Sequence, residues 1–132
     1  MSVRVLVVDD VADIRRLIGA IIAAHDQGWS VAGEASNGQE AIAAARRLDP
    51  DLVLLDLSMP VMDGLEALPG LRTSVPDATV VMLTGFPTDA AKDAALAAGA
   101  HGYLEKEALV TTLTQRLQAI LDDLGRTPGE RS

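Results

Sequence analysis

The fold is decided by residues 52–64, which run LVLLDLSMPVMDG. The four apolar residues 52–55 cannot have one face in water, so they predict a strand that is buried on both sides. Asp56 follows where this strand leaves the core. In an open parallel α/β sheet, ligands bind at the carboxyl ends of the strands. Asp56 is therefore the first candidate for a functional residue.

Length and composition narrow the class of protein. The chain has 132 residues, 48% of them hydrophobic, which is enough for the core of one domain and too few for two. It contains no cysteine, which excludes disulfides, thiolate metal sites and a cysteine nucleophile. The apolar runs are too short to cross a membrane, and the amino terminus lacks the layout of a secretory signal. We therefore expect a cytoplasmic protein that does not bind membranes.

The charge argues against nucleic-acid binding. A formal net charge of −8 is the wrong sign for a surface that neutralises phosphates. The longest basic clusters are the pairs Arg15-Arg16 and Arg46-Arg47, and both fall within helical patterns. Charged pairs of this kind are typical of solvated helix faces, which is the role that we predict for both.

Short apolar segments alternate with helical patterns along the chain. Strands are predicted at residues 3–8, 31–35, 52–56, 79–83 and 101–105. Helices are predicted between and after them, the first from the recurrence of Ile14, Leu17, Ile18, Ile21 and Ile22 on one stripe. The order (βα)5 predicts an α/β fold with a doubly wound parallel sheet. Since strands one, three and four are the most apolar, the flavodoxin-like strand order 2-1-3-4-5 is favoured. Residues 1–124 form this domain, and the polar residues 125–132 are predicted to be a flexible tail or the start of a linker.

The third helix carries two opposing signals. Asp63 with Glu66 three residues later predicts a capping box that starts the helix. Pro69 and Gly70 lie inside the same helix, where a proline removes one hydrogen bond and costs about 3 kcal/mol. We therefore expect this helix to be kinked or cut short.

Polar residues follow four of the predicted strands at the same edge of the sheet. They are Asp9, Asp10, Asp56, Thr84 and Lys106. Clustered carboxylates repel one another unless a cation is present, and a set of hard oxygen donors favours Mg²⁺ over zinc. A lysine and a hydroxyl are what a phosphoryl group also requires. The set predicts an aspartate that accepts a phosphoryl group with the help of Mg²⁺.

Four motifs carry a family resemblance: VVDD at 7–10, LLDLSMPVMDG at 54–64, LTG at 83–85 and GYLEK at 102–106. In this order and spacing they resemble the CheY-like receiver domain of two-component response regulators, over residues 3–124. The resemblance implies that Asp56 is the phosphoacceptor. It implies an Mg²⁺ site in which Asp10, Asp56 and the Ser58 carbonyl are direct ligands and Asp9 acts through water. It also implies that Lys106 pairs with the phosphoryl oxygens and that Thr84 and Tyr103 form a switch pair.

Residues 31–38 and 49–56 further resemble the NarL/LuxR branch of this family, whose full-length members add a DNA-binding helix-turn-helix domain. Two interpretations stay open: a stand-alone receiver, or the amino-terminal receiver of a DNA-binding transcriptional regulator. Either implies a sensor histidine kinase or phosphotransfer protein as partner and, on phosphorylation, a homodimer. Most receivers follow the last strand's lysine with a cis-proline, whereas Glu107 follows Lys106 here, so the geometry of this peptide stays open.

Two other functions compete with this interpretation. A small Mg²⁺-dependent phosphatase of the haloacid dehalogenase type needs a second acid two residues after its aspartate, where this chain has Ser58. A receiver that is never phosphorylated would not need the complete set of acceptor residues. We therefore expect a non-enzymatic signalling domain that catalyses only its own phosphorylation and dephosphorylation.

Overall fold

The computed structural model describes residues 3–25, 28–85 and 88–125. The predicted tail, apart from Gly125, lies outside these residues. The elements are β1 (Val3–Val8), α1 (Ala12–Ala24), β2 (Trp29–Ala35), α2 (Gly38–Leu48), β3 (Leu52–Asp56), α3 (Gly64–Ser74), β4 (Thr79–Thr84), α4 (Asp89–Ala97), β5 (Gly102–Glu105), a 3-10 turn (Lys106–Ala108) and α5 (Leu109–Asp123). The predicted alternation of strands and helices is confirmed.

The five strands form one parallel sheet in the order β2-β1-β3-β4-β5, as predicted. The register pairs Val8 with Leu55 and Asp56 with Leu83, so the carboxyl ends of the central strands lie side by side. The residues that follow these strands consequently meet at one edge of the sheet.

Alternate residues of the central strands point into two separate hydrophobic cores. One core packs the sheet against α2, α3 and α4, and its strand residues are Leu6, Val8, Val53, Leu55, Val80 and Met82. The other packs the sheet against α1 and α5, and its strand residues are Val3, Val5, Val7, Leu52, Leu54, Val81 and Leu83. Because β3 is buried on both faces, packing fixes the position of Asp56 at the end of this strand.

Helix α1 packs the predicted stripe against the sheet except at Leu17, since Ile14 and Ile21 also pack against this core. Ile18 and Ile22 are fully buried, but Leu17 is 37% exposed. Arg15 lies three and seven residues before the two buried isoleucines, so it shares their face. Its side chain is only 19% exposed, compared with 77% for Arg16. The prediction that both arginines lie on a solvated face was therefore wrong for Arg15.

Helix α3 is not cut short at Pro69, which corrects one of the two outcomes that we expected. It continues to Ser74, and Leu68 and Leu71 are fully buried on either side of the proline. Gly70 allows close packing against α2, because a Cβ at this position would come within 2.6 Å of the Ile42 Cδ1 atom. Burial of this face offsets the hydrogen bond that the proline removes.

The capping box of α3 is confirmed. The Asp63 carboxylate accepts from the Glu66 amide at 2.8 Å, and the Glu66 carboxylate accepts from the Asp63 amide at 3.2 Å. Asp63 therefore belongs to the frame of the domain.

Two further features bear on the predictions. No peptide bond among the described residues is cis, so the peptide between Lys106 and Glu107 is trans. No helix in the described part of the chain combines the length and the apolar character that a membrane span requires.

The capping box predicts a stability effect that is separate from function. We expect Asp63→Ala to lower the free energy of unfolding by about 1 kcal/mol, because it leaves the amides at the start of α3 without an acceptor. Urea denaturation would measure this loss, with Asp77→Ala in an exposed turn as the charge-matched control. Equal midpoints for the two variants would contradict the assignment.

Candidate functional site

The carboxyl ends of the strands bring three acidic side chains together. Asp9 and Asp10 follow β1, and Asp56 ends β3. One carboxylate oxygen from each lies within 4.8 Å of the other two. Asp9 and Asp56 are buried and Asp10 is exposed, so the cluster opens to solvent on the Asp10 side. The predicted convergence of these three acids is confirmed by the geometry.

Lys106 lies between the two buried acids. Its Nζ atom is 2.7 Å from Asp9 Oδ2 and 3.0 Å from Asp56 Oδ1. The 3-10 turn that begins at Lys106 directly after β5 places the ammonium here. One ammonium faces three carboxylates, so the cluster keeps an excess of negative charge that can bind a cation.

The pKa values of Asp56 and Lys106 reflect this arrangement. Burial raises the pKa of Asp56 to about 6; the Lys106 ammonium and the Ser58 amide oppose this rise, and the charge of Asp9 adds to it. Burial alone would lower the pKa of Lys106, but the carboxylates of Asp9 and Asp56 outweigh it and raise this pKa. The lysine is therefore held as a cation in the site, while burial disfavours the charged form of Asp56.

Every polar atom of Asp9 has a neighbour that fixes it. Its amide donates to the Ala35 carbonyl at 3.1 Å, and its Oδ1 accepts from the Val11 amide at 2.9 Å. Its own carbonyl accepts from the Arg15 guanidinium at 2.6 Å. Its buried Oδ2 lies 2.7 Å from the Lys106 ammonium. A carboxylate oxygen has a further lone pair, which could accept from a metal-bound water.

The donor set suits a hard cation. Three carboxylates lie close together, one of them open to solvent, and no histidine or cysteine belongs to the cluster. Mg²⁺ prefers a few carboxylates together with water, so the cluster is compatible with it. Ser58 is exposed, and its carbonyl role as a ligand stays a prediction.

The loop from β3 to α3 is tightly constrained beside Asp56. The Leu57 amide donates to the Leu83 carbonyl, and the Gly64 amide donates to the Leu57 carbonyl, both at 3.0 Å. A Cβ at Gly64 would collide with the Asp56 carbonyl, so only glycine fits there. The motif's glycine therefore serves close backbone packing.

The same loop contains a strained residue that the sequence analysis missed. Val61 has a φ of 67°, which is rare for a β-branched residue, and the residue is 76% exposed. The Met62 amide donates to the Pro60 carbonyl at 2.7 Å, which closes a γ-turn around Val61. Nothing in the identity of a valine signals this conformation.

The predicted switch residues lie on neighbouring strands. Thr84 is buried at the end of β4, and Tyr103 pairs with Met82 two residues earlier. The alternation of side chains puts Thr84 and Tyr103 on the same face of the sheet as diagonal neighbours. The Tyr103 hydroxyl is buried and has no hydrogen-bond partner among the described residues. The two residues are placed together, and their switching role stays a prediction.

Arg15 is a second residue near this site that the sequence analysis missed. Besides its bond to Asp9, its Nε atom donates to Glu34 Oε1 of β2 at 2.9 Å. A signal existed in the sequence, because position 15 lies on the stripe of Ile18 and Ile22. An arginine on a buried stripe needs partners that satisfy its charge.

Comparisons with known proteins agree with the fold and show the family. The family model for the response regulator receiver domain matches residues 5–118. The response regulator GacA of Pseudomonas viridiflava is 41% identical over 118 residues, covering 89% of this chain and 55% of GacA. The chemotaxis protein CheY of Thermotoga maritima is 37% identical over 106 residues, covering 80% of this chain and 87% of CheY. The chain thus spans about half the length of GacA.

A solved structure supports the predicted branch. A two-component response regulator of the LuxR family from Aurantimonas sp. SI85-9A1 superposes with a TM-score of 0.85 and 31% identity. The match covers 96% of this chain and 88% of that structure.

The ion contacts of Lys106 predict a measurable coupling to Asp56. We expect Lys106→Met to lower the free energy of unfolding by about 2 kcal/mol in metal-free buffer, because two buried carboxylates lose their cation. The partial exposure of Lys106 keeps the loss below that of a fully buried ion pair. Adding Asp56→Asn should recover part of this loss, because one of the uncompensated charges disappears. Urea denaturation of both single variants and the double variant measures the coupling.

Lys92→Met removes an exposed lysine of α4 and is the matched control. Strict additivity of the Lys106 and Asp56 substitutions would show that the contact contributes nothing.

Proposed function

The chain belongs to the receiver domain family of two-component response regulators, and from this membership we propose that Asp56 accepts a phosphoryl group in a transfer assisted by Mg²⁺. The observation that carries this proposal is the buried Asp56 carboxylate, which lies 3.0 Å from the Lys106 ammonium within a cluster of three acids. The donor of this phosphoryl group is a phosphohistidine of a sensor kinase or phosphotransfer protein.

The metal would be held at the open side of the acid cluster. Asp10 and Asp56 supply carboxylate ligands, the Ser58 carbonyl supplies a third, and Asp9 binds through a water molecule. When bound, Mg²⁺ neutralises the charge that the incoming phosphoryl group brings. The burial of Asp9 and the exposure of Asp10 support this division of roles.

The covalent step exchanges one bond to phosphorus for another. A carboxylate oxygen of Asp56 attacks the phosphorus atom, and the bond from phosphorus to the imidazole nitrogen breaks. The imidazole leaves with the electron pair. Burial disfavours the free Asp56 carboxylate, so conversion to an acyl phosphate moves charge away from the apolar strand. Lys106 then pairs with the phosphoryl oxygens.

Phosphorylation of Asp56 changes a surface of the domain through Thr84 and Tyr103. The phosphoryl oxygens attract the Thr84 hydroxyl, and Tyr103 moves into the space that the threonine leaves. Tyr103 lines a groove of about 520 Å³ between α4, β5 and α5. A change in its position therefore alters the α4-β5-α5 face, which partners or a second copy of the chain recognise.

Several parts of the proposal concern the protein in its cell. We place it in the cytoplasm, with no nucleic acid bound by residues 1–124. Those residues act as one receiver unit, and 125–132 are the tail or linker. A stand-alone receiver and the receiver of a DNA-binding regulator both agree with these roles. The similarity to GacA over only part of that protein's length favours neither.

Phosphorylation is tested directly by mass spectrometry. After incubation with Mg²⁺ and acetyl phosphate, we expect one phosphoryl adduct on the wild-type chain and none on Asp56→Asn. Asp63→Asn is the matched control, because asparagine keeps the helix cap while the same charge is lost. It should be phosphorylated like the wild type.

Absence of the adduct from the wild type, or its persistence in Asp56→Asn, would refute the phosphoacceptor role. Steady turnover of a phosphate ester would instead support the phosphatase alternative. We do not favour that alternative, because Ser58 stands where that class needs an acid.

Metal binding predicts a change in stability that EDTA reverses. A ligand that binds only the native state adds about 2.7 kcal/mol at a hundred times its dissociation constant. We expect Mg²⁺ to raise the thermal midpoint of the wild type, and much less that of Asp10→Asn. Asp13→Asn, in which the acid that pairs with Arg16 is replaced, should respond like the wild type.

The titrations are run at constant ionic strength, so that general screening does not contribute. An equal response of Asp10→Asn and Asp13→Asn would show that Mg²⁺ does not bind at the acid cluster.

A further inference from the structure

We propose that Arg15 is a positioning residue for the acid cluster, which holds the main chain of Asp9 and Asp10 in the geometry needed for metal binding. This inference rests on the proposed function, since it concerns the same Mg²⁺ site. Arg15 touches neither the proposed phosphoacceptor nor any atom that would bind the metal, and it acts through Asp9.

The first observation is how the turn from β1 to α1 is held. Val11 is the N-cap residue of α1 and makes no side-chain cap hydrogen bond. The Asp9 carboxylate instead accepts from the Val11 amide at 2.9 Å. The Asp9 carbonyl then needs a donor, which the Arg15 guanidinium provides at 2.6 Å. These two bonds fix the peptide that joins Asp9 to Asp10.

The second observation is that the guanidinium is itself fixed. Its Nε atom donates to Glu34 of β2 at 2.9 Å, while a different nitrogen reaches Asp9. One planar cation thus connects helix α1, strand β2 and the end of β1. A guanidinium has donors in a rigid fork and can satisfy both partners at once, whereas an ammonium is a single point charge.

The third observation is which atoms the guanidinium contacts. It reaches the main-chain carbonyl of Asp9 rather than the Asp9 carboxylate, and its charge is paired with Glu34. The effect of Arg15 on the site therefore comes through the backbone of Asp9. Mg²⁺ demands a near-octahedral arrangement of its ligands, so a small shift of Asp10 would weaken binding.

Loss of a residue that orients a metal ligand has a typical effect on metal affinity. Removing such a residue lowers the affinity about tenfold or more. We expect Arg15→Met to weaken Mg²⁺ binding by about tenfold on this basis. Arg15→Lys should lie between the wild type and Arg15→Met, because lysine keeps the charge but loses the fork.

The test measures Mg²⁺ binding by isothermal titration calorimetry, at a temperature where circular dichroism shows each variant fully folded. Arg16→Met is the matched control, since Arg16 is exposed and pairs with Asp13 on the surface. It should bind like the wild type. A substitution that only lowers stability leaves the Mg²⁺ affinity of the folded protein unchanged, and calorimetry under these conditions measures that affinity.

Glu34→Gln tests the same inference without removing the arginine. It takes away the charge that anchors the guanidinium, so it should weaken Mg²⁺ binding in the same direction as Arg15→Met. The double variant should be no weaker than Arg15→Met alone, because both changes disrupt one contact. This variant also decides the matter if Arg15→Met does not fold.

Three results would overturn the inference. They are an Mg²⁺ affinity of Arg15→Met equal to that of Arg16→Met, full affinity in Arg15→Lys, and an unchanged affinity in Glu34→Gln. A wild-type chain that binds no Mg²⁺ is a different failure, because it would refute the proposed function itself. The wild-type titration therefore distinguishes the two.

Discussion

The structure depends on two buried carboxylates that share one ammonium. Asp9 and Asp56 lie at the ends of adjacent central strands, and Lys106 contacts both. Burying these charges is costly, and the ammonium offsets only part of that cost. The remaining excess of negative charge makes the cluster compatible with a bound cation. The fold supplies the rigidity for this arrangement through a sheet with a packed core on each face.

Most of the fold could be predicted because its signals are local and repeated. Runs of apolar residues specify buried parallel strands, and the carboxyl ends of such strands must meet at one edge. The acid cluster and Lys106 followed from this rule alone. Residue roles came from the family resemblance, and the structure confirms proximity for Asp9, Asp10, Asp56 and Lys106 without testing their chemistry.

The features that were not predicted depend on the rotation of α1 about its axis and on tertiary packing. The sequence pattern specifies neither. The stripe on α1 was predicted correctly except at its edges, where Leu17 is exposed and Arg15 is largely buried, and the spacing of apolar residues does not specify which edge is covered. Pro69 was expected to kink or shorten α3, and the helix is not shortened because tertiary packing of the neighbouring leucines outweighed local propensity. The positive φ of Val61 is set by the loop that closes on Asp56, and a valine carries no signal for it.

The place of Lys106 has a consequence for motion. It follows β5, an edge strand of only four residues, and edge strands are normally the first part of a sheet to open. Opening of β5 would withdraw the ammonium and leave Asp9 and Asp56 buried without it. The charge cluster therefore resists fraying of this edge, and the backbone amides of β5 should exchange their hydrogens more slowly than their position in the sheet alone would suggest.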